Sequence, residues 1–298
     1  MDKGKYPGSE WKIGNYNRSE YRIGYETALA FYKAGAHVIL ACRDHTKAEQ
    51  AVLKLNISGG HGKIEAMSLD LADLDHVKNF AKKIKQKHTS IHVLINNAGV
   101  ATPPASKTVQ GYELQFGVNF LGHFALTGHL YPLLKLTPGF RVVSVSSMGY
   151  QNGVIDFDNL RSEKNYDRMR EYRQSKLANL LFAVELDRRI VAKRDTVISV
   201  AAQPGANKTE LTRHLTEAEI NAGISVIGEF MEPWQGALPL LYAATSNNVS
   251  GGKMYEPDNG GYRGYPTLAY IQENATDKKI AKRLWELAEK VTGVTFSD

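Results

Sequence analysis

The chain has 298 residues, of which 43% are hydrophobic and 23% charged, a composition that fits one large α/β domain or two small ones. The net charge of +6 suits anionic ligands, but no nucleic-acid-binding motif accompanies it, so we expect no nucleic-acid partner. No apolar run approaches the roughly 18 residues that span a bilayer, and residues 1–17 lack the apolar core of a signal peptide. Because Cys42 is the only cysteine, an intrachain disulfide is impossible, and we expect a cytoplasmic protein.

Short apolar runs alternate with helical patterns from residue 25 onward. The runs cover residues 37–41, 64–69, 91–95, 141–145 and 197–202. They are nearly continuous in apolar character, which predicts strands buried on both faces of a parallel sheet. Apolar residues at helical spacing indicate helices at 77–84 and 280–291. The pattern predicts a Rossmann-type, doubly wound, mostly parallel α/β sheet with helices on both faces, in a single domain over residues 1–298.

Small or polar residues follow every predicted strand. Doubly wound sheets bind ligands at this edge, beyond the carboxyl ends of the strands. A turn would explain any one of these segments, but it explains five in a row less well. The segments are Cys42-Arg43-Asp44, Asp70-Leu71, Asn96 to Gly99, Ser146-Ser147 and Gln203 to Gly205.

Tyr172 and Lys176 are four residues apart, a spacing that places both side chains on one face of a helix. A phenol has an ordinary pKa near 10, and a neighbouring ammonium favours the phenolate and lowers that pKa. Ser147 can hold a carbonyl or alcohol oxygen beside the phenol. The trio therefore predicts proton transfer coupled to hydride transfer. A second Tyr-x-x-x-Lys pair, Tyr131 and Lys135, follows no such serine, and we interpret it as a helix end with a solvated lysine.

These motifs together resemble the short-chain dehydrogenase/reductase family, from about residue 23 to the C-terminus. Asn96-Asn97-Ala98-Gly99, Ser147, Tyr172 to Lys176 and Gln203-Pro204-Gly205 carry the resemblance. Other strings resemble the retinol-dehydrogenase-like and WW-domain-oxidoreductase-like branch of that family. They are Ala41 to Asp44, Asn119 to Phe124, Ser175 to Asn179 and the long insertion between Ser147 and Tyr172.

The resemblance implies a catalytic tetrad. Tyr172 would be the general acid/base, and Lys176 would lower its pKa and hold the nicotinamide ribose. Ser147 would orient the substrate oxygen, and Asn119 would anchor a water that relays the proton. Ser146 is the alternative for this role, but the family motif assigns it to the second of the two serines, which is Ser147.

The resemblance also implies a nicotinamide cofactor. Arg43 stands where an acidic residue would accept the ribose hydroxyl of NAD(H); its guanidinium suits a 2′-phosphate, so NADP(H) is favoured over NAD(H). The alternative is an ordinary surface arginine. Asp70 would contact the adenine, and Thr209 is a candidate for the nicotinamide amide, although its preceding residues depart from the family string. The other implied cofactor-binding residues are Ile23, Gly24, Leu71, Asn97, Ala98, Gly99, Tyr172, Lys176, Pro204 and Gly205.

Two further features leave alternatives open. His123 has no clustered partner ligands, so we interpret it as a helix histidine and expect no metal site. The segment 224–234 stands where the family keeps a mobile substrate lid. Its apolar residues, Ile227, Phe230, Met231 and Trp234, could equally line an apolar pocket or pack in the core.

The N-terminus departs from the family pattern. The family has a first strand and a glycine-rich turn that approaches the pyrophosphate. Here only Gly24 matches, Arg18 and Arg22 stand where the first two glycines belong, and the apolar run of a central strand is missing. One hypothesis is a lost base, because a legal codon set for residues 11–22, shifted by one base, encodes GKLVIITGANTG. The alternative is true divergence, with arginines that hold phosphate by charge.

Two functions follow from this reasoning. The first is an NADP(H)-dependent oxidoreductase acting on a carbonyl/alcohol pair in an apolar small molecule, with retinoids, steroids and simple aldehydes all compatible. The alternative is a catalytically silent binding or regulatory protein of the same fold, because the phosphate-binding turn is damaged. Relatives often pair through the helix that carries the tyrosine, so a homo-oligomer is possible.

Overall fold

A computed structural model describes residues 12–15, 23–137, 139–207, 217–218, 221, 224–225 and 228–296. Their strands form one eight-stranded sheet in the order β3-β2-β1-β4-β5-β6-β7-β8. All neighbours pair in parallel except β7 and β8, which are antiparallel. This confirms the predicted Rossmann-type fold. The strands are β1 Lys12–Asn15, β2 His37–Cys42, β3 Lys63–Ser68, β4 Val93–Asn96, β5 Arg141–Val145, β6 Ile198–Ala202, β7 Met254–Asn259 and β8 Arg263–Leu268.

Helices cover both faces of the sheet. The core on one face includes residues of α1 (Ile23–Lys33), α2 (His45–Ile57) and α6 (Pro233–Thr245). The core on the other face includes residues of α3, α4, α5 and α7. These four helices span Leu74–Lys87, Gly122–Lys135, Arg168–Lys193 and Lys278–Thr292, and a π-helix, Phe116–Leu121, leads directly into α4. Within the described part of the chain, no helix is long and apolar enough to cross a membrane.

The first strand corrects one sequence-based expectation. The apolar run of a central strand is missing from the sequence, yet β1 lies at the centre of the sheet. Ile13 pairs with Ile39 of β2 on one side and with Leu94 of β4 on the other. The hydrogen bonds between parallel strands join backbone groups. Pairing with β2 and β4 can therefore hold a short segment of low apolar content as a strand.

Two more elements differ from the prediction. β3 is an edge strand, and of its residues only Met67 is buried, so it is not the doubly buried strand that its apolar run indicates. The hairpin of β7 and β8 was not predicted. Its turn contains Gly260 and Gly261 at φ values of 63° and 77°, a conformation that favours glycine at both positions.

An aromatic cluster joins α4, α5 and α7 on one face of the sheet. Phe124, Phe182 and Trp285 pack with Phe296 from the chain end, and the ring centroids of Trp285 and Phe296 are 4.6 Å apart. Each such aromatic pair contributes about 0.5–1.5 kcal/mol beyond burial. The cluster packs α4 against α5. Tyr172 and Lys176 lie in α5, and Asn119 lies in the π-helix that leads into α4.

Candidate active site

Ser147, Tyr172 and Lys176 come together at the carboxyl edge of the sheet. Ser147 lies two residues beyond β5, and its Oγ lies near the Tyr172 ring, because a Cβ at Gly149 would be 3.7 Å from Ser147 Oγ and 3.4 Å from Tyr172 Cε1. Tyr172 and Lys176 lie one turn apart in α5, with the Lys176 Nζ 5.7 Å from the Tyr172 ring centroid. Lys176 Nζ donates to the Val145 carbonyl at 3.2 Å, which anchors the ammonium to the end of β5.

Burial shifts the pKa of both Tyr172 and Lys176 in α5. It raises the pKa of Tyr172 above its ordinary value of 10, and the hydrogen bond with Ser147 acts in the opposite direction. Burial lowers the pKa of Lys176 from 10.5 to about 8. The net shift of the phenol pKa is therefore upward, where the sequence analysis expects a lowered pKa. Removal from water disfavours the charged form of each group, and for the phenol this effect exceeds the opposing effect of Ser147.

Asn119 lies in the π-helix and clamps two other segments. Its Nδ2 donates to the Val100 carbonyl at 3.0 Å and to Ser175 Oγ at 2.9 Å, and its Oδ1 accepts from the Val100 backbone at 2.8 Å. The side chain thus ties the segment after β4 to α5. Gly99 allows this approach, because a Cβ there would lie 3.1 Å from Asn119 Oδ1 and 3.7 Å from Lys176 Nζ.

The two adjacent serines have different surroundings. Ser146 is buried, and its hydroxyl donates to the Lys176 carbonyl at 2.8 Å, so it joins β5 to α5. Ser147 is half-buried, lies near the Tyr172 ring, and accepts from the Gly149 backbone at 3.2 Å. The phenol therefore meets Ser147, the serine that the sequence analysis favours.

The residues after β2 and β3 lie at the same edge of the sheet. Arg43 is exposed, and its neighbour Asp44 caps α2 by accepting from the Lys47 backbone at 3.1 Å. Asp70 is half-buried and accepts from the Ala72 backbone at 2.9 Å. Leu71 is buried against α4, so its side chain belongs to the core. Arg43 and one oxygen of Asp70 can face a ligand at this edge.

The remaining predicted cofactor residues are small or belong to turns. Asn97 donates its backbone N–H to the Ile95 carbonyl at 3.0 Å, which turns the chain at Asn96, just before Ala98 and Gly99. Ile23 and Gly24 begin α1 and are buried. Thr209 and the glycine-poor turn with Arg18 and Arg22 lie outside the described residues.

Pro204 and Gly205 are held in a tight turn after β6. Gly205 has a φ of 71°, and a Cβ there would lie 2.5 Å from the Tyr262 carbonyl oxygen. Its backbone N–H donates to Gln203 Oε1 at 2.8 Å, while the Gln203 amide donates to the Gly261 carbonyl at 2.6 Å. Gln203 therefore links this turn to the β7–β8 hairpin.

Sequence reasoning missed several supporting residues. Asn179 donates at 3.0 Å to the same Val145 carbonyl as Lys176, and Ser175 Oγ accepts the hydrogen bond from Asn119 Nδ2. Their signal was spacing, because Tyr172, Ser175 and Asn179 recur at three and four residues along α5. Gln203 carried no separate signal, since its partners lie in the hairpin that was not predicted.

The other sequence features have structural settings. Tyr131 is buried in α4 and donates to Asp195 at 2.7 Å, and Lys135 ends that helix, in agreement with the helix-end interpretation. Of the proposed lid residues, Met231 is buried and Trp234 is exposed, whereas Ile227 lies outside the described residues. His123 is fully buried in α4.

The geometry can be compared with known proteins. The family model described as short chain dehydrogenase matches residues 21–220. Retinol dehydrogenase 14 of Mus musculus is 36% identical over 285 residues, which cover 91% of this chain and 83% of that protein. The crystal structure of an uncharacterized protein from Mycobacterium paratuberculosis has 34% identity and a TM-score of 0.81, covering 100% of this chain and 99% of the other. L-sorbose reductase from Gluconobacter frateurii, solved with NADPH and L-sorbose, shares the fold at 19% identity and a TM-score of 0.66, covering 88% and 98% of the two chains.

Proposed function

The chain belongs to the short-chain dehydrogenase family, and from that premise we propose an NADP(H)-dependent oxidoreductase that interconverts a carbonyl and an alcohol on an apolar small molecule. The observation that carries the proposal is that Ser147 Oγ and the Tyr172 ring lie side by side next to Gly149, with the Lys176 Nζ 5.7 Å from the ring centroid. The relatives matched over most of the chain are retinol dehydrogenases, which favours the enzyme over a silent binding protein and supports an apolar substrate.

The residues at the carboxyl edge of the sheet fit a dinucleotide. The absent Cβ of Gly99 leaves room beside Asn119 and Lys176, and the first turn of α1 points backbone N–H groups to the same edge, which favours phosphate. When bound, the nicotinamide supplies or accepts the hydride. The residues proposed to hold the cofactor are Ile23, Gly24, Arg43, Asp70, Leu71, Asn97, Ala98, Gly99, Tyr172, Lys176, Pro204, Gly205 and Thr209.

Arg43 supports the choice of NADP(H). Its guanidinium follows β2 and is exposed, where it can form charge-assisted hydrogen bonds with a phosphate group. The residue before it is the buried Cys42, and the residue after it, Asp44, uses its carboxylate to cap α2. Arg43 is therefore the charged side chain of this segment that suits a 2′-phosphate.

The chain's own groups supply the proton transfer. The Tyr172 phenol, whose pKa burial raises further above 10, is protonated at neutral pH and can donate to a substrate oxygen in the direction of reduction. Ser147 holds the same oxygen through its hydroxyl. The Lys176 ammonium, anchored by the Val145 carbonyl, favours the phenolate that remains after donation.

A substrate panel with matched tyrosine variants tests the proposal. Oxidation of NADPH and NADH is followed with retinal, a steroid ketone and simple aldehydes. Tyr172→Phe should lower turnover about 10²–10⁴-fold, since it removes the proton donor. Tyr131→Phe is the control, because it alters the other Tyr-x-x-x-Lys pair and should leave turnover unchanged. Turnover that survives in Tyr172→Phe, or that is absent from every form, would overturn the proposal.

A further inference from the structure

His123 is a buried histidine one turn beyond Asn119. Its Nδ1 lies 2.8 Å from the Asn119 carbonyl oxygen. A carbonyl oxygen only accepts, so Nδ1 carries the proton and Nε2 carries a lone pair. Burial lowers the pKa of His123 to about 4, and the nearby positive charge of Lys176 acts in the same direction. The ring is therefore neutral at pH 7, with one defined tautomer.

Three polar side-chain atoms in α4, β4 and β5 are buried without a partner in the described part of the chain. His123 Nε2, Asn96 Oδ1 and Ser144 Oγ are buried and have no partner among the described residues. Asn96 and Ser144 are paired neighbours on β4 and β5, so their side chains share one face of the sheet. Asn96 Nδ2 donates to Thr127 Oγ1 at 3.0 Å, and Thr127 Oγ1 donates to the His123 carbonyl at 2.8 Å. These bonds place Asn96 against the part of α4 that contains His123 and Thr127, and the strand pairing places Ser144 next to Asn96.

We propose that His123 is a positioning residue, whose Nδ1–H holds the Asn119 carbonyl and whose Nε2 accepts a hydrogen bond from an internal water shared with Asn96 and Ser144. One water satisfies all three groups: it donates to Nε2 and to Asn96 Oδ1 and accepts from the Ser144 hydroxyl. Only the expected effect on kcat rests on the proposed function, and the hydrogen bonds of His123 do not depend on it.

The effect reaches the catalytic groups through Asn119. The π-helix alters the regular hydrogen-bond ladder at this turn, because the Gly122 N–H pairs with the carbonyl of Gly117, five residues earlier. The His123 ring adds a fixed donor to the Asn119 carbonyl within that irregular turn. The Asn119 side chain in turn clamps Val100 and lies beside Lys176. Loss of the ring donor should let the turn relax and displace the clamp.

Ring-nitrogen NMR of the full chain tests the geometry without any substrate. The chain contains nine histidines, so the His123 signals are assigned by their loss in His123→Asn. We expect the Nδ1–H tautomer and no titration between about pH 5 and pH 8. An Nε2–H tautomer, or a ring that becomes charged near its ordinary pKa, would overturn the proposal.

Three substitutions separate positioning from packing. His123→Asn keeps a donor near Nδ1, His123→Gln places its amide near Nε2, and His123→Leu removes both. We expect kcat to fall about tenfold in the Gln and Leu variants with KM nearly unchanged, and to be retained in the Asn variant. His129→Leu, on the same helix, is the control and should keep its kcat. If kcat instead follows the melting temperature across the three variants, His123 only packs and the proposal fails.

A third measurement distinguishes this failure from failure of the proposed function. The side-chain amide resonance of Asn119 should be preserved in His123→Asn and shifted in His123→Leu, whether or not the protein turns over any substrate. An unshifted amide in His123→Leu would refute the positioning role even in an active enzyme. A shifted amide in a protein without turnover would support the role and count against the proposed activity alone.

Discussion

Glu113 is a buried carboxyl group immediately before the π-helix, and it makes stability depend on pH. Its side chain is about 1% exposed, and Oε2 accepts from the Phe116 backbone at 2.7 Å. Oε1 is buried without a partner among the described residues. Burial raises the pKa of Glu113 from 4.5 to about 7, opposed by hydrogen bonds from the Gln115 and Phe116 backbones. The negative charge of Glu171 adds to the rise.

The sign follows from comparing the folded and unfolded chains. Below pH 4.5 the carboxyl of Glu113 is protonated in both states. Between pH 4.5 and about 7 the unfolded chain loses this proton while the folded chain keeps it, so stability falls as the pH rises. A rise from 4.5 to about 7 corresponds to roughly 3 kcal/mol of free energy of unfolding, lost in full above the upper value.

Glu113→Gln removes this pH dependence. The glutamine oxygen can still accept from the Phe116 backbone, but its amide nitrogen adds a buried donor, which costs about 1–3 kcal/mol at every pH. The stability of the variant relative to the unmodified chain should therefore improve by roughly 2–3 kcal/mol between about pH 5 and about pH 8.

Urea unfolding at the two pH values measures the difference. Glu163→Gln is the control, because the Glu163 side chain is 65% exposed and lies 3.6 Å from Lys107. An exposed pair of this kind contributes about 0–1 kcal/mol, and its removal should show little pH dependence. If the stability curves of Glu113→Gln and the unmodified chain run parallel between the two pH values, the burial argument is refuted.

Three further predictions follow from the turn after β6 and from the phosphate end of the site. Gly205→Ala should destabilise the protein by about 1–3 kcal/mol more than Gly139→Ala in urea unfolding, because both glycines have positive φ but only Gly205 has atoms close to the added Cβ; equal losses would contradict the steric argument. Arg43→Glu should reduce the ratio of NADPH to NADH affinity at least about tenfold by calorimetric titration, since it replaces a phosphate partner with a like charge, and an unchanged ratio would remove its proposed role. The recorded chain should bind NADPH weakly, and substitution of GKLVIITGANTG for residues 11–22 should restore affinity; equal affinities, or gene codons incompatible with the shifted reading, would count against the lost-base hypothesis.

The fold could be predicted where burial alone selects the residues. β2, β4, β5 and β6 lie between other strands and under helices on both faces, so their sequences are nearly continuous in apolar character and the runs coincide with the strands within two residues. β1 could not be predicted in this way, because its position depends on backbone pairing with β2 and β4. The side chains of residues 12–15 carry no sign of such backbone pairing.

The β7–β8 hairpin was missed for a different reason. Pro257 and Pro266 interrupt both strands, and proline within an apolar run argues against a strand. Here the two prolines are opposite each other in the register. β8 is the edge strand, and Pro257 lies beyond the two residues of β7 that pair with β6, so neither proline interrupts pairing with a further strand. The available signal was the Gly260-Gly261 pair between two six-residue runs, which is typical of a tight hairpin turn.

The candidate site shows where reasoning from spacing reaches its limit. The four-residue interval places Tyr172 and Lys176 on one face of α5, and this placement is what the structure shows. The direction in which the phenol pKa shifts depends instead on which groups cover that face of α5. Gly149 lies against the Tyr172 ring, whereas Gly99 and the end of β5 lie against the Lys176 ammonium; these segments are distant from α5 in sequence and are brought to it only by the fold. A charge four residues away can be read from sequence, but the loss of water around the phenol cannot, and here the loss of water determines the direction in which the phenol pKa shifts.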